Sequence, residues 1–410
     1  MEYRILTTLE IPPLTNGRKT NSADIQNALS QVGEGKKYDT AHFITGSYLI
    51  DNSITRKNPH AVIAINSCTT ICGDLDADKN PLTFFQLMRN APTKTFGCGV
   101  PIFGPSEVNA HDIKIFNVWF DGQCTTSVGL QNGFKAGDCG GHAGASPNEH
   151  GKGFSNFVSL PRCGITNFEM ANFKITNTAG DGFRTHEWNK SSGIWIHDGE
   201  ISMCGHCAIM LENTTNATIE NIKVTTRSNG AFRSQKGCSN INVKNLHAIG
   251  TKYNYNSGFQ VAGNHIKIEK CRIDVMMGCG IEVIGEDNID IVISECEFLN
   301  NGTFALTNNY GVAGVLASGA NVIIKDCIFN SNYQNSIAAN IYSPDGKRYT
   351  KTGYTITTEN NTIMDTRPSK FTVIGNGKHI ANLLAGHVVT SMGNKFSPEK
   401  NYSQNVKFLD

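Results

Sequence analysis

Residues 191–235 read SSGIWIHDGEISMCGHCAIMLENTTNATIENIKVTTRSNGAFRSQ. One phrase is written there twice. An alternating apolar run (Ile194-Trp195-Ile196, then Ile219-Glu220) leads through a turn to a small residue followed by a large apolar one (Ala208-Ile209-Met210, then Ala231-Phe232-Arg233). Outward from this stretch the first run recurs at Ile241-Asn242-Val243, Ile266-Lys267-Ile268, Ile291-Val292-Ile293 and Val322-Ile323-Ile324. The second recurs at Gly182-Phe183-Arg184, Gly258-Phe259-Gln260, Gly280-Ile281-Glu282 and Gly314-Val315-Leu316, so that the whole series is spaced by 26, 23, 27, 22 and 34 residues. Period-2 alternation repeating at this interval predicts an all-β coil of stacked parallel strands, a parallel β-helix, because no coil buries its apolar side alone and each roofs its neighbour.

A repeat through most of 410 residues argues for one elongated domain over 1–410 of roughly 10 coils. The 41 glycines and the frequent asparagines suit short strands that each end in a tight corner. Net charge is +1, so no global field draws nucleic acid or an anionic membrane, and an acidic ligand must be met locally. Met1 to Leu14 lacks a basic region followed by an apolar run, and no stretch reaches the length of a membrane span. The expectation is a protein without signal peptide or membrane insertion, carried in a virion or exported by a non-classical route, otherwise cytoplasmic.

Thirteen cysteines are an odd number. Cys271, Cys296 and Cys327 share one register position with Leu246 and Ile222, and so should stack inward as small apolar groups. Cys204-Gly205-His206-Cys207 has half the ligands of a structural zinc site, but no second cysteine pair with that spacing exists. Buried thiols are the reading adopted, with no metal ligand assigned.

Asn21 or Ser22 caps a helix through Val32 whose Ile25, Leu29 and Val32 lie on one face; this helix, over 21–32, is expected to lid the open end of the coil. Residues 123–153, rich in Gly, Asn, Ser and Ala, are too long for a corner and read as a loop insertion, either a flap over the side of the coil, the reading favoured, or a subunit contact. A second expansion follows at 300–312. Residues 344–410 read as terminal coils and closure.

Strand alternation turns the register into a surface map. If Phe183, Ile209, Phe232, Phe259 and Ile281 point inward, then Arg184, Met210, Arg233, Gln260 and Glu282 form one outward column, and His186, Glu212, Gln235, Ala262 and Ile284 another. His186 and Glu212 should be neighbours, one coil apart. Such a groove suits an acidic polysaccharide. Arg184 and Arg233 could clamp a uronate carboxylate, with Gln235, Gln260 and Glu282 as further substrate contacts. His186, oriented by Glu212, could move the proton on the carbon next to it. Tyr255, entering with Tyr253 from a loop, could supply a phenolic acid, and Trp188 and Trp195 could stack on sugar rings. Loss of the 4-linked sugar after proton abstraction makes a lyase; reprotonation from the opposite face makes an epimerase. Hydrolysis needs two carboxyls across the bond, and Glu212 and Glu282 fall too many coils apart for that; Glu187, at a corner, could approach Glu212, so hydrolysis ranks below lyase or epimerase.

The opening Ser22-Ala23-Asp24-Ile25-Gln26-Asn27-Ala28-Leu29, then Gly46-Ser47-Tyr48-Leu49-Ile50 and the series from His111 onward, resembles the pectate-lyase-like superfamily. The resemblance implies a single-stranded right-handed parallel β-helix, as in polysaccharide lyases, polysaccharide epimerases and phage tailspikes. Gly182-Phe183-Arg184-Thr185-His186-Glu187 is similar to the Tyr-Gly-Phe-Asp-Pro-His-Glu motif of mannuronan C5-epimerases, which implies a catalytic His186, with Glu212 where that family has a functional Asp one coil later. Asp181 stands in place of the family's catalytic Tyr, and Arg184 in place of an acidic residue. The expected function is a glycan-binding β-helix acting on a uronate-containing polysaccharide as lyase or epimerase. The alternative is a viral tailspike or adhesin, a homotrimer that binds host glycans with hydrolase activity or none. Ca2+ is left open as a cofactor.

Overall fold

The computed structural model describes residues 7–13, 22–50, 61, 63–87, 100–122, 155–159, 164–178, 180–227, 229–235, 237–251, 256–285, 288–303, 313–317, 320–333, 335–339, 354–364, 378–382, 388–397 and 406–409. Two compact units, Met1–Thr218 and Ile219–Asp410, are described in turn.

In the first unit, Thr8–Ile11, Thr40–Phe43, Thr69–Gly73, Ala110–Phe116, Ile165–Thr176 and Ser191–Ser202 pair in parallel in that order. A second parallel ladder runs Ile63–Ile65, Val100–Pro105, Ser155–Ser159, Phe183–Arg184 and Ile209–Leu211. Pairing in chain order, with each strand one coil beyond the last, is the topology of a parallel β-helix. The long strands bend without breaking because single residues adopt left-handed conformations at matched positions. Asp112, Asn167 and Gly193 have φ of 55°, 59° and 68°, and Asn117, Asn172 and Asp198 have 59°, 49° and 52°. Asn, Asp and Gly are the residues that occupy this region at least cost, which accounts for their abundance. Phe43, Phe85, Phe103 and Phe120 fill the core, with ring centroids of successive contacts 5.0 to 5.5 Å apart.

The single helix among the described residues is Ser22–Leu29 and buries Ser22, Ile25 and Leu29. It ends three residues before Val32, which is buried and bridges to Tyr38. Asn66 accounts for the early stop, donating from Nδ2 to the carbonyls of Leu29 and Val32 at 3.2 and 2.8 Å. Gln26 accepts from the Ala64 N–H at 2.7 Å and donates to its carbonyl at 3.3 Å, so one side-chain amide satisfies the backbone of the end strand Ile63–Ile65 as a further strand would.

In the second unit, Phe232–Ser234, Phe259–Val261, Ile281–Val283, Val315–Ala317, Asn335–Ala339 and Lys378–Asn382 form the short-strand ladder. Ser239–Ile249, Asn264–Glu269, Asn288–Ser294, Ala320–Lys325, Thr355–Glu359 and Val388–Met392 form the other. The expected register holds: Ile241 pairs with Ile266, Ile266 with Ile291, and Ile291 with Val322. Cys271, Cys296 and Cys327 are buried and stacked, and they do more than fill space. The N–H of Cys271 donates to Cys296 Sγ and that of Cys296 to Cys327 Sγ, both at 3.4 Å. The ladder continues with oxygen, Cys327 N–H to Asn361 Oδ1 at 2.9 Å and Asn361 N–H to Asn394 Oδ1 at 2.8 Å. Desolvation pushes the Cys296 and Cys327 thiols well above their ordinary pKa, as expected of inert structural sulfur. The insertion expected at 123–153 lies outside the described residues, as does most of 300–312.

Candidate functional site

The inward set is placed as the alternation requires. Phe183, Ile209, Phe232, Phe259 and Ile281 are fully buried, and Phe183 pairs with Ile209, Phe232 with Phe259 and Phe259 with Ile281. The outward set differs from expectation in one respect: much of it is not solvated. Met210, Gln260, Glu282 and Ala262 are all buried, with Glu282 hydrogen-bonded to Ser257 and Gln260 to Asn256 at the neighbouring corner.

In the first unit that arrangement gathers Asp181, Arg184, His186, His206, Cys207 and Glu212. Arg184 donates from Nε and Nη2 to Glu212 Oε2 at 3.1 and 2.9 Å, and from Nη1 to Asp181 Oδ2 at 3.4 Å. Arg184 therefore does not stand free as a carboxylate clamp; three of its five N–H groups are committed to protein carboxylates. Although burial opposes its charge, Asp181 and Glu212 hold its pKa above the ordinary value. Glu212 is buried, and desolvation raises its pKa against the opposing pull of Arg184. Its backbone is pinned by Thr185, whose Oγ1 accepts from the Glu212 N–H at 2.8 Å and donates to its carbonyl at 3.1 Å.

His186 Nδ1 lies 3.8 Å from Glu212 Oε2, which confirms the predicted proximity but exceeds hydrogen-bond length. The imidazole does not project into solvent as the surface map implied: its side chain is 10% exposed and stacks on Trp188 at 4.1 Å with planes 12° apart. Trp188 covers one face of the ring and is itself 52% exposed, which gives the site a solvent-facing aromatic edge.

Behind Arg184 lies a group the sequence reading did not assemble. Asp181 Oδ1 accepts the Cys207 N–H at 2.9 Å and lies 2.7 Å from His206 Nδ1. Burial works against charge on both partners, yet their mutual attraction wins: the Asp181 carboxyl is held down, and His206, with Cys207 and Asp181 beside it, is held up. The available signal was register, since the His206 N–H bonds the carbonyl of Gly180, one coil back and next to Asp181.

In the second unit, Arg233 pairs in register with Gln260, and Gln260 with Glu282. Glu282 Oε2 accepts from Ser257 Oγ at 3.0 Å and from Gln260 Nε2 at 3.4 Å, and Gln260 Nε2 also donates to Asn256 Oδ1 at 3.1 Å. Burial raises the Glu282 pKa, with Arg233 acting on it only at a distance. Gln235 sits at the corner beyond this strand, half-buried. Tyr253 and Tyr255 lie outside the described residues. Trp195 is on another face, 42% exposed and stacked on His197 at 4.0 Å.

Strands that pair in parallel and in chain order, coil upon coil, define the parallel β-helix class. The family model described as right handed beta helix region matches residues 153–298 and 188–363, more than half of the chain taken together, and the protein belongs to that family. Among solved structures, an Azotobacter vinelandii mannuronan C-5 epimerase A-module is similar at TM-score 0.58 and 12% identity, over 97% of both chains. A polygalacturonase from Erwinia carotovora ssp. carotovora is similar at TM-score 0.53 and 13% identity, over 100% of this chain and 99% of that one. The tailspike protein of E. coli bacteriophage HK620, solved with a pentasaccharide, is similar at TM-score 0.64 and 12% identity, over 94% of this chain and 64% of that one. No curated protein matches the chain in sequence. Among the described residues, no helix is long and apolar enough to cross a membrane.

Proposed function

We propose that the protein binds a uronate-containing polysaccharide at the Arg184–Glu212–His186 cluster and acts on it as a lyase or epimerase. The observation that carries this reading is the grouping of an imidazole, a buried carboxyl and an exposed indole within one coil's reach: His186 is 3.8 Å from Glu212 and stacked on Trp188. A sugar ring stacked on the edge of Trp188 brings its carboxylate toward the two remaining N–H groups of Arg184. His186 removes the proton from the carbon beside that carboxylate. In elimination the C–H electron pair forms the ring double bond as the neighbouring C–O bond to the 4-linked sugar breaks; in epimerisation a proton returns to the opposite face. Glu212 faces the imidazole and stabilises its protonated form. In the second unit, Tyr255 is retained as a candidate acid and Arg233, Gln235, Gln260 and Glu282 as candidate glycan contacts.

The experiment is incubation with a panel of polyuronates, followed by ultraviolet absorbance for unsaturated ends and proton NMR for inverted residues. Either signal, absent from His186→Ala, is the expected result; neither signal with any polyuronate overturns the reading. One observation favours a second reading, a glycan-binding spike: the committed Arg184 leaves less cation for a substrate than a dedicated clamp would. Binding without chemical change, together with a trimer in sedimentation, is its signature.

A further inference from the structure

The Asp181, His206 and Cys207 group lies outside the chemistry just described. A carboxylate oxygen, an imidazole nitrogen and a thiol sulfur there all lie within 4.8 Å of one another. The three residues are at most 2% exposed. From these observations we propose that Asp181, His206 and Cys207 form a binding site for a borderline-soft divalent cation, zinc.

The donor set decides which metal. Sulfur and nitrogen donors exclude calcium and magnesium, which take oxygen ligands, whereas one thiolate, one imidazole and one carboxylate are three of the four ligands of tetrahedral zinc, with a water completing the set. Zinc at ~2.0–2.3 Å from each ligand places neighbouring donor atoms about 3.3–3.8 Å apart, inside the spread found here. The 2.7 Å contact between Asp181 and His206 lengthens modestly on binding. Asp181 keeps its other oxygen for Arg184 Nη1, so the guanidinium becomes the outer partner that orients a metal-bound carboxylate. Charge points the same way. A thiolate and a carboxylate together neutralise a divalent ion, and a buried site gains most when its charges cancel locally. The chain supplies the geometry cheaply, because His206 and Cys207 are consecutive and the Cys207 N–H is itself tied to Asp181.

The test needs no activity. The purified full chain is analysed for zinc by mass spectrometry, then stripped and titrated with Co2+ while the thiolate-to-cobalt charge-transfer band is followed. About one equivalent per chain with a tetrahedral, sulfur-ligated spectrum is expected. Cys207→Ala and His206→Gln should lose the band. Cys68→Ala, which alters the more exposed Glu34, Cys68 and His111 group, should keep it. A wild-type chain that takes up no Co2+ with a sulfur band overturns the proposal without any variant having to fold, leaving a metal-free hydrogen-bonded group. A band that persists in Cys207→Ala, or vanishes in Cys68→Ala, overturns it equally.

Discussion

Arg184 and Arg233 occupy the same place in the repeat, each following a buried phenylalanine on a short strand, yet their surroundings differ in kind. Arg184 is locked between two carboxylates, with Glu212 at 2.9 Å and Asp181 at 3.4 Å. Arg233 makes no such pair among the described residues: the nearby Glu282 is held instead by a hydroxyl and an amide, and Arg233 Nε is enclosed without a hydrogen-bond partner. The first cluster is ionic and interlocked, the second a buried carboxyl held by a hydroxyl and an amide beside a spare guanidinium donor. Register alone thus fixes where a side chain emerges and leaves its electrostatic role to the corners of the neighbouring coils.

The sharpest way to break this contrast is Arg184→Ala, which strips compensation from two buried carboxyls and should cost ~3–5 kcal/mol in denaturant unfolding. Activity should be lost with it. His186→Ala should lower turnover by about 10²- to 10⁴-fold, the range of a missing general base, while the unfolding free energy changes by about 1 kcal/mol or less. Arg233→Ala should cost only about 1 kcal/mol; a loss equal to that of Arg184→Ala would erase the distinction between the clusters. The smallest effect concerns Glu282. Its folded pKa is raised by burial, so the native state holds a proton that the unfolded chain has released, and stability falls as pH rises from the ordinary glutamate value through the folded one. Glu282→Gln keeps an oxygen acceptor for Ser257 and removes the charge, so it should flatten that slope and raise the neutral-pH midpoint. A steeper slope in the variant would show that the carboxyl is charged and paired after all.

The coil was legible because its signal is redundant. Each of Ile241, Ile266, Ile291 and Val322 repeats the same inward placement, and a slip of one residue would expose all of them. The closeness of His186 to Glu212 followed from the same phase. Exposure did not follow, since alternation distinguishes core from outer face but cannot say that Met210 or Glu282 will be buried on that outer face. Nor does alternation by itself join Asp181 to His206; that contact follows only once the corner at His206 is stacked on Gly180, one coil back. The helix boundary missed for a similar reason: its stop depends on Asn66, 37 residues from Leu29.

One further consequence comes from the sulfur and asparagine ladder of the second unit. The joint below Cys296 and the joint above it are chemically alike, an amide donating to sulfur at 3.4 Å in both. Excising one repeat in frame would therefore bring together two surfaces that already match, and duplicating one would do the same. A chain built this way can change its length in whole units during evolution without redesigning its interior, and a shortened gene product lacking residues 271–295 is the direct trial of that interchangeability.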